Sequence, residues 1–459
     1  MLLFAVCSTV LSDSGITKGN GIALCGALLF TLCPHISEVL IWKADYHYLQ
    51  GFLLILLILF CVQRFIHGQQ NKYAIAAGAL FFLSSFSLEI FYLSPMFVLT
   101  LSLYYRVALG YDKQVFKKAL LYFLAPELLI FCMYFVLLYY SYNGLHAHIP
   151  SSFVQTHTEY LSKPLKYVFH ILFLGRYFPP DLKNRIYDIC ESVKTLTIFY
   201  SLLILVVGFG FFRFKRIGIY GKAMLLLLTW VILTVGFVGS LNFPGAALLV
   251  FYDRYTYFTD GFIYTLLALI VGRYVNKHIA LGLFCIYAAI NVYFTVKVNG
   301  YWKHSAYVIN RLLSDFPSSG SKTVLLLNNP ENLNGVPMIG AEPDGEFKAL
   351  HKLFTNNSLA NTVYDVASYN MITMDDGAHV AVINDSLIRV TLNKWGTWWW
   401  YSGHGAKSYE NSDYKLNLGD PGHWYELTLR HPANNYLLLY EVGPNWKTVD
   451  MSKRNVDQY

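Results

Sequence analysis

The sequence CPHISEVLIWKADYH, residues 33–47, places charged and titratable side chains between two runs that are otherwise apolar. It contains two carboxylates, Glu38 and Asp45, together with Lys43 and His47. A charge at the centre of a membrane costs about 2.5 to 3.5 kcal/mol on insertion scales, so such residues usually face a cavity, a partner or a ligand. We therefore expect these four side chains to form the rim of a site at a membrane surface.

The composition is that of a polytopic membrane protein. Of 459 residues, 55% are hydrophobic and 14% are charged, and the mean hydropathy is +0.40. About a quarter of the residues in a typical soluble domain are charged, so the chain is far more apolar than such a domain. Aromatic residues reach 17%, which is typical of wide interfacial belts or of a cavity for a long apolar ligand.

The net charge of +7 is unevenly distributed. Residues 1–320 contain 24 Lys and Arg against 13 Asp and Glu, whereas residues 321–459 contain 11 against 15. Anionic lipid accounts for the basic part, so no nucleic-acid partner is inferred. All seven cysteines precede residue 286 and none has a CxxC spacing, so neither a zinc site nor a disulfide framework is predicted.

Hydropathy predicts about nine to ten membrane spans, because a transmembrane helix needs about 20 mostly apolar residues. The opening run, residues 1–11, is too short and lacks the basic start of a signal peptide, so we interpret it as the rear half of a helix that begins upstream. The other predicted spans are 21–40, 48–66, 73–86, 91–105, 120–140, 195–212, 223–240, 257–271 and 279–296.

The distribution of Lys and Arg predicts the orientation, because these residues collect on alternate connections and mark the cytoplasmic side. Four regions are then expected on the outer, periplasmic or extracellular side: residues 33–47, 141–194, 241–256 and everything after 297. The long outer loop contains an apolar stripe, residues 165–173, that predicts an interfacial amphipathic helix ended by Pro179 and Pro180.

The fold class that follows is mainly α, a polytopic transmembrane helix bundle over residues 1–300 with a small β-rich extramembrane domain over 322–459. Residues 301–321 are expected to form a second interfacial helix, 304–313, and a linker. Strands are predicted at 323–327, 379–385, 386–392, 425–431 and 436–442, where apolar residues alternate or cluster between turn residues. A helix is expected near 346–354.

Several polar residues on or near the outer side are candidates for chemistry. Glu38 and Glu89 are either site residues or carboxylates hydrogen-bonded between helices. For Glu127 the structural interpretation is preferred, because the preceding proline frees a backbone carbonyl. Asp253 and Arg254 lie among tyrosines, where the guanidinium could reach the interface or could bind a lipid phosphate.

Metal binding is not predicted for His146 and His148, which have no ligand spacing with any acid. The run KWGTWWWYSGHG, residues 394–405, offers aromatic platforms for a glycan, although large aromatic side chains often form the core of a small β domain.

The segments FTLCPHISEVLIW, SFSLEI and DRYTYF, in this order, resemble landmarks of GT-C type membrane glycosyltransferases. The most similar branch comprises the protein O-mannosyltransferases related to the transmembrane TPR-containing mannosyltransferases. The resemblance extends over about residues 21–268. The matching residues are Pro34, Ser37, Glu38, Trp42, Glu89, Asp253, Arg254, Tyr255 and Tyr257. Three positions depart from the family pattern: Cys33 replaces a histidine, Leu88 a lysine and Thr259 a proline.

The resemblance implies transfer of a sugar, with inversion, from a polyprenyl-phosphate donor in the lipid bilayer to a protein or glycan acceptor at the outer membrane face. It implies a catalytic acidic residue in a first outer loop, which would lie upstream of Met1, so the catalytic residue is unknown. Arg254, or secondarily Lys43, would stabilise the phosphate leaving group. No particular cofactor is predicted, and the need for a divalent cation stays open. The implied substrate-binding residues are Glu38, Lys43, Asp45, Glu89, Asp253, Arg254 and Tyr255.

The alternative is a non-catalytic membrane protein, such as a lipid-linked glycan transporter, a ligase accessory or an anchor for the outer domain. Hydropathy contains no inverted repeat that would favour a transporter. An upstream helix followed by an acidic loop would favour an enzyme.

Overall fold

The computed structural model of the chain describes residues 1–41, 46–86, 89–142, 157–178, 180–214, 216–240, 253–317, 320–339, 346–371, 373–392, 398–399, 408–419 and 424–453. The chain forms two compact units, Met1–Val296 and Lys297–Tyr459. The first unit is helical, and the second contains most of the described β structure.

The helices of the first unit differ widely in length. In chain order they are α1 (Leu2–Asp13), α2 (Gly19–Leu32), α3 (Ile36–Ile41), α4 (Tyr46–Gly68), α5 (Asn71–Ser84), α6 (Ser94–Leu103), α7 (Lys113–Ala119), α8 (Ala125–Tyr142), α9 (His157–Phe173), α10 (Pro180–Glu191), α11 (Val193–Phe212), α12 (Ile219–Ser240) and α13 (Tyr257–Tyr274). Helix α14 (Lys277–Ser314) begins in this unit and ends in the second.

Within the described residues, five helical segments are long and apolar enough to cross a membrane: Tyr46–Gly68, Lys113–Ser141, Val193–Gly210, Ile219–Gly236 and Lys277–Ser314. This finding indicates a membrane protein. These five segments correspond to five of the predicted spans, and the predicted total of nine to ten spans is not confirmed. Helix α14 is 38 residues long, so the predicted helix 304–313 is the continuation of the preceding span.

The predicted span over residues 21–40 is wrong, because the chain breaks at Cys33. Helix α2 ends at Leu32, and Cys33 is extended with φ −65° and ψ 132°. Proline disfavours the helical conformation for the residue before it, so Pro34 accounts for this end. The break allows the short helix α3 to turn into the interior, where Ser37, Glu38 and Val39 are buried.

Helix α13 lies at the centre of the first unit, packed against α2 and α12. Gly26 makes the close contact between α2 and α13 possible, because a Cβ at this position would lie 2.7 Å from the Cα of Thr265. Aromatic rings fill the remaining space: Phe262 contacts Phe52 edge-on and Trp230 at 5.0 Å between centroids. This packing fixes the position of the residues at the start of α13.

Helix α9 corresponds to the predicted interfacial helix, and it is more buried than an interfacial helix is expected to be. It ends at Phe173, before the two prolines, and Leu174 has a left-handed backbone with φ 53°. His170 and Ile171 are fully buried, and Lys166 is 4% exposed and forms an ion pair with Glu191. The helix therefore contributes polar side chains to the interior of the unit.

The second unit contains three described sheets. Its strands are β1 (Thr323–Leu326), β2 (Asn329–Leu333), β3 (Val336–Pro337), β4 (Val363–Asp365), β5 (Ser368–Met371), β6 (Ala378–Val382), β7 (Leu387–Leu392), β8 (Trp398–Trp399), β9 (Ser408–Glu410), β10 (Tyr414–Leu418), β11 (Trp424–Leu429), β12 (Tyr436–Val442) and β13 (Asn445–Thr448). The sheet orders are β13-β12-β1-β4, β6-β7-β11-β10-β9 and β3-β2-β5-β8.

The strands predicted in this region are present as β1, β6, β7, β11 and β12, and the predicted helix is α15 (Glu346–Thr355). Strand β1 is almost wholly apolar because it lies between two parallel neighbours, β12 and β4, and is buried. The five-stranded sheet is antiparallel, and β11 alternates between buried and partly buried residues. The chain thus has a β-rich C-terminal region.

Candidate functional site

The break between α2 and α3 places two titratable side chains in the interior. His35 is 0% exposed and Glu38 is 1% exposed. Both lie in the stretch that the sequence singles out, and both are close to the residues that precede and begin α13. A buried charge is costly unless it is paired, so their partners determine what this site can do.

Glu38 forms an ion pair with Arg254, 216 positions later in the chain. The Arg254 guanidinium donates to Glu38 Oε1 at 3.3 Å, and the Arg254 backbone N–H donates to Glu38 Oε2 at 3.2 Å. The Glu38 side chain is 2% exposed, whereas that of Arg254 is 16% exposed. Arg254 is therefore the member of the pair that can meet a ligand, and Glu38 holds it in position.

The guanidinium of Arg254 also lies over the ring of Tyr255, with its Cζ 5.0 Å from the ring centroid. Both residues belong to a short 3-10 turn, Asp253–Tyr255, that leads into α13. The Thr256 hydroxyl and backbone N–H both donate to the Asp253 carbonyl, at 2.8 and 2.9 Å. The turn is thus closed locally and presents Asp253 and Arg254 together.

Two histidine–carboxylate pairs lie beside this turn. His35 Nδ1 is 3.2 Å from Asp260 Oδ2, and His170 Nε2 is 3.1 Å from Asp253 Oδ1. All four side chains are 0% or 1% exposed. The two imidazoles are stacked, with centroids 4.8 Å apart and planes 18° from parallel.

The stacking of the imidazoles constrains their charge. Two imidazolium charges 4.8 Å apart would repel each other by about 3 kcal/mol at an effective dielectric constant of about 20. With both imidazoles neutral, the two pairs carry the two negative charges of Asp253 and Asp260. Each carboxylate would attract a proton on its own histidine by about 5 kcal/mol at the same dielectric constant, so the two negative charges suit either protonated histidines or a bound cation.

Cys33 and Tyr264 complete the cluster on the side of Asp260. Cys33 Sγ lies 3.8 Å from Asp260 Oδ2 and 3.2 Å from the Tyr264 hydroxyl. The Thr256 hydroxyl donates to Asp260 Oδ2 at 3.1 Å. In the part of the chain that the structure describes, two sets of side chains have ligand atoms within 4.8 Å of one another, as a metal site requires: Cys33, His35 and Asp260, and His35, His170 and Asp253.

The structure brings together four residues of the predicted site: Glu38, Asp253, Arg254 and Tyr255. Glu89 begins a 3-10 turn, Glu89–Leu93, and the structure describes its backbone alone.

The other predictions fall elsewhere. Lys43 and Asp45 lie outside the described residues, as do His146 and His148 and most of residues 394–405. Glu127 is buried in α8 and accepts a hydrogen bond from Ser94 at 3.1 Å, as the structural interpretation expects.

Sequence reasoning missed Cys33, His35, His170 and Asp260 as site residues. Two of them had a detectable signal: His35 directly follows Pro34 in the quoted stretch, and Asp260 is an acid within an apolar helix. His170 lay on the predicted interfacial helix, where a histidine at the water boundary is unremarkable. Cysteine spacing predicted no zinc site and the cofactor prediction left a divalent cation open; the described residues include groups able to hold an ion.

A separate cavity of about 870 Å³ lies elsewhere in the first unit. Its walls combine apolar side chains with three cations, Arg213, Arg216 and Lys222, and it shares no lining residue with the cluster described above. Lys222 extends over the Phe214 ring, with its Nζ 5.5 Å from the centroid. This cavity suits an amphiphile with a negative head group.

No protein-family model, curated protein or solved structure matches the chain.

Proposed function

We propose that the chain is a membrane glycosyltransferase of the GT-C type. The proposed reaction is transfer of a sugar from a polyprenyl-phosphate donor to a hydroxyl acceptor at the outer membrane face. The supporting observation is the convergence of Glu38, Asp253 and Arg254 from distant parts of the chain in one buried site. These residues also carry the resemblance to that family.

Arg254 is the proposed phosphate ligand. Its guanidinium is held at 3.3 Å by Glu38 and retains partial exposure, so the fork of N–H donors is oriented before a ligand arrives. A phosphate oxygen gains negative charge as the glycosidic bond breaks, and an oriented cation stabilises that charge in the transition state more than in the ground state. Glu38 is then a positioning residue.

Asp253 is the proposed base for the acceptor hydroxyl, since it adjoins Arg254 and is oriented by His170 at 3.1 Å. Because its side chain is 0% exposed, the proposed step requires the site to open to the acceptor. In the proposed step the acceptor oxygen attacks the anomeric carbon and the bond from that carbon to the phosphate oxygen breaks. The bonding pair leaves on the phosphate and the hydroxyl proton moves to Asp253. Inversion follows from attack opposite the leaving group.

The test is sugar transfer in membranes from labelled polyprenyl-phosphate sugars, comparing Arg254→Ala with Arg273→Ala. Arg273 is a matched control because its Cζ also lies 5.0 Å from a tyrosine ring centroid, that of Tyr220, away from the cluster. Loss of one charged donor to the transition state lowers turnover by about 100- to 1,000-fold, so we expect that loss for Arg254→Ala and none for Arg273→Ala.

Folding must be separated from catalysis in this test, because removing Arg254 leaves Glu38 buried without its guanidinium partner. Breaking a buried ion pair costs about 3 to 5 kcal/mol. The double variant Glu38→Gln, Arg254→Gln removes both charges and restores stability while transfer stays lost. Wild-type turnover in Arg254→Ala, or absence of transfer from every polyprenyl-phosphate sugar offered to the wild type, would overturn the proposal.

The second candidate is carriage of a lipid-linked glycan, which the cavity lined by Arg213, Arg216 and Lys222 favours. A lipid phosphate among these cations with its chain along Leu225 and Leu226 would satisfy both parts of the wall. Replacing the three cations with Gln would then stop lipid movement between leaflets, whereas Arg254→Ala would leave it unchanged. The reverse pattern favours the transferase.

A further inference from the structure

We propose that Cys33, His35 and Asp260 bind a divalent transition-metal ion, and that zinc is the ion their chemistry fits best. The His170–Asp253 pair lies directly beside this site, because the His170 ring stacks on that of His35. The inference goes beyond sugar transfer and does not rest on it, because metal binding is measured on the protein without a donor or an acceptor.

The distances between the donor atoms fit one tetrahedral ion. Zinc bonds are about 2.0 to 2.2 Å to nitrogen and oxygen and about 2.3 Å to sulfur, so neighbouring donors in a tetrahedron are about 3.3 to 3.7 Å apart. Here His35 Nδ1 lies 3.2 Å and Cys33 Sγ 3.8 Å from Asp260 Oδ2. The ligand atoms of all three residues lie within 4.8 Å of one another, so shifts of up to about an ångström would bring them to bonding distance of a common centre.

On the ligand residues His35 and Asp260, the buried atoms His35 Nε2 and Asp260 Oδ1 have no hydrogen-bond partner among the described residues. Buried polar atoms are nearly always satisfied, so each requires an explanation. An ion on Asp260 accounts for Oδ1, since a carboxylate can bind a metal through both of its oxygens. His35 Nε2 is not a ligand atom of this ion, because the ion lies on the Nδ1 side of the ring. The residues are 0% and 1% exposed, which limits access of water to these atoms.

The charges of the cluster also favour a dication. Asp253 and Asp260 bring two negative charges, and Arg254 is already paired with Glu38. A divalent ion is balanced by its own two anionic ligands, the Cys33 thiolate and the Asp260 carboxylate, and His35 stays neutral, which is the form in which histidine binds metals. Asp253 lies outside this ligand set and pairs with His170.

The type of donor selects the metal. A thiolate, an imidazole and a carboxylate together suit zinc or another late transition metal, whereas magnesium and calcium prefer oxygen alone. Neighbouring groups orient these ligands, as they do in other metal sites: the Thr256 hydroxyl lies 3.1 Å from Asp260 Oδ2 and the Tyr264 hydroxyl 3.2 Å from Cys33 Sγ. The three ligands leave a fourth position for water or for His170.

The competing explanation is that the two histidine–carboxylate pairs satisfy one another and bind nothing. The metal content of the purified protein distinguishes this explanation from the proposed zinc site. The full chain is purified in detergent, treated with a chelator, reloaded with zinc sulfate, passed through a desalting column and assayed for zinc per protein. Cobalt replaces zinc in a parallel sample, in which a bond to Cys33 produces a thiolate-to-cobalt charge-transfer band.

Cys33→Ser is compared with Cys7→Ser, a matched control because both cysteines are 1% exposed and Cys7 lies in neither ligand set. We expect one zinc per chain in the wild type and in Cys7→Ser. Cys33→Ser should lose the charge-transfer band and bind zinc at least 10-fold more weakly. Asp260→Asn, which keeps the size of the side chain, should weaken zinc binding by at least 10-fold as well.

Thermal unfolding provides the second measurement, because an ion bound to the native state raises the unfolding temperature. Zinc should stabilise the wild type and Cys7→Ser, and a chelator should reverse the effect. The inference fails if the wild type retains less than about a tenth of an equivalent of zinc after reloading. It also fails if Cys33→Ser and Cys7→Ser bind zinc equally and show the same cobalt spectrum.

Discussion

Replacement of Glu441 by Gln should make the β-rich unit more stable at neutral pH. Glu441 lies on β12 and is 0% exposed. Its Oε2 accepts hydrogen bonds from the Tyr369 hydroxyl at 2.5 Å and from Asn328 Nδ2 at 3.4 Å, and Oε1 has no hydrogen-bond partner among the described residues. Its backbone N–H donates to Asn328 Oδ1 at 2.7 Å. A carboxylate in this position is poorly solvated.

Burial raises the pKa of Glu441 from its ordinary value of 4.5 to about 8, and the hydrogen bond from Tyr369 opposes part of that rise. Between these two pH values the native state holds the proton and the unfolded state does not. Stability is therefore complete below pH 4.5 and falls as the pH rises toward 8. Since one pH unit corresponds to about 1.4 kcal/mol, the loss at pH 7.5 is as much as about 4 kcal/mol.

The glutamine side chain has nearly the same shape, keeps an acceptor for Tyr369 and cannot ionise. We expect Glu441→Gln to match the wild type at pH 5 and to exceed its stability by as much as about 4 kcal/mol at pH 7.5. Hydrogen exchange on the full chain measures the opening free energy of the peptide that contains β12, after correction for the intrinsic exchange rate at each pH.

Glu410→Gln is the control for this measurement. The Glu410 side chain is 62% exposed and pairs with Arg430 at the surface, so its removal should change stability by less than about 1 kcal/mol at either pH. The reasoning is refuted if the opening free energy of the wild type rises between pH 5 and pH 7.5, or if Glu441→Gln leaves its pH dependence unchanged.

Two further predictions concern the first unit and the topology. Gly26→Ala should lower the unfolding temperature in detergent, because the added Cβ would lie 2.6 Å from Thr265 Oγ1 and an overpacked core costs about 1 to 3 kcal/mol. Gly21→Ala is the control, because no atom lies within 4 Å of a Cβ added there, and it should leave the unfolding temperature unchanged. Equal unfolding temperatures for the two variants would contradict the close α2–α13 contact. In a cysteine-free background, a cysteine introduced at Ser412 should react with a membrane-impermeant reagent added outside intact cells, and a cysteine introduced at Lys113 should not. The opposite labelling would show that the predicted orientation in the membrane is reversed.

The two proposed roles of the site rest on different members of the same cluster. Phosphate recognition depends on Arg254 and Glu38, whereas metal binding depends on Cys33, His35 and Asp260. Transfer that survives loss of zinc would separate the two roles, and a zinc-dependent transfer would link them. The His170–Asp253 pair lies between both, so its substitution should affect each measurement.

Much of the architecture is predictable from the sequence, because it depends on local patterns. Long apolar runs predict the five helices able to cross a membrane, and period-two alternation predicts strands such as β6 and β11. The end of α2 at Leu32 is also local, since Pro34 disfavours helix at Cys33, although the apolar run alone predicted a longer span.

Half of the candidate site followed from the sequence as well. Glu38, Asp253, Arg254 and Tyr255 were recognisable because charges amid apolar residues are costly and because their order resembles a known family. Their mutual contacts were expectations, and the ion pair at 3.3 Å between Arg254 and Glu38 belongs to the fold.

The sequence by itself determined which segments are apolar, which of the described segments form helices or strands, and that several charges must find partners inside. The tertiary structure alone decided which partners they find: Asp260 meets His35 across 225 positions, and Asp253 meets His170 across 83. Side-chain periodicity specifies which face of a helix is buried. It does not specify which other helix or strand that face packs against. A buried polar group can be satisfied from anywhere in the chain, so its partner is set when the helices pack.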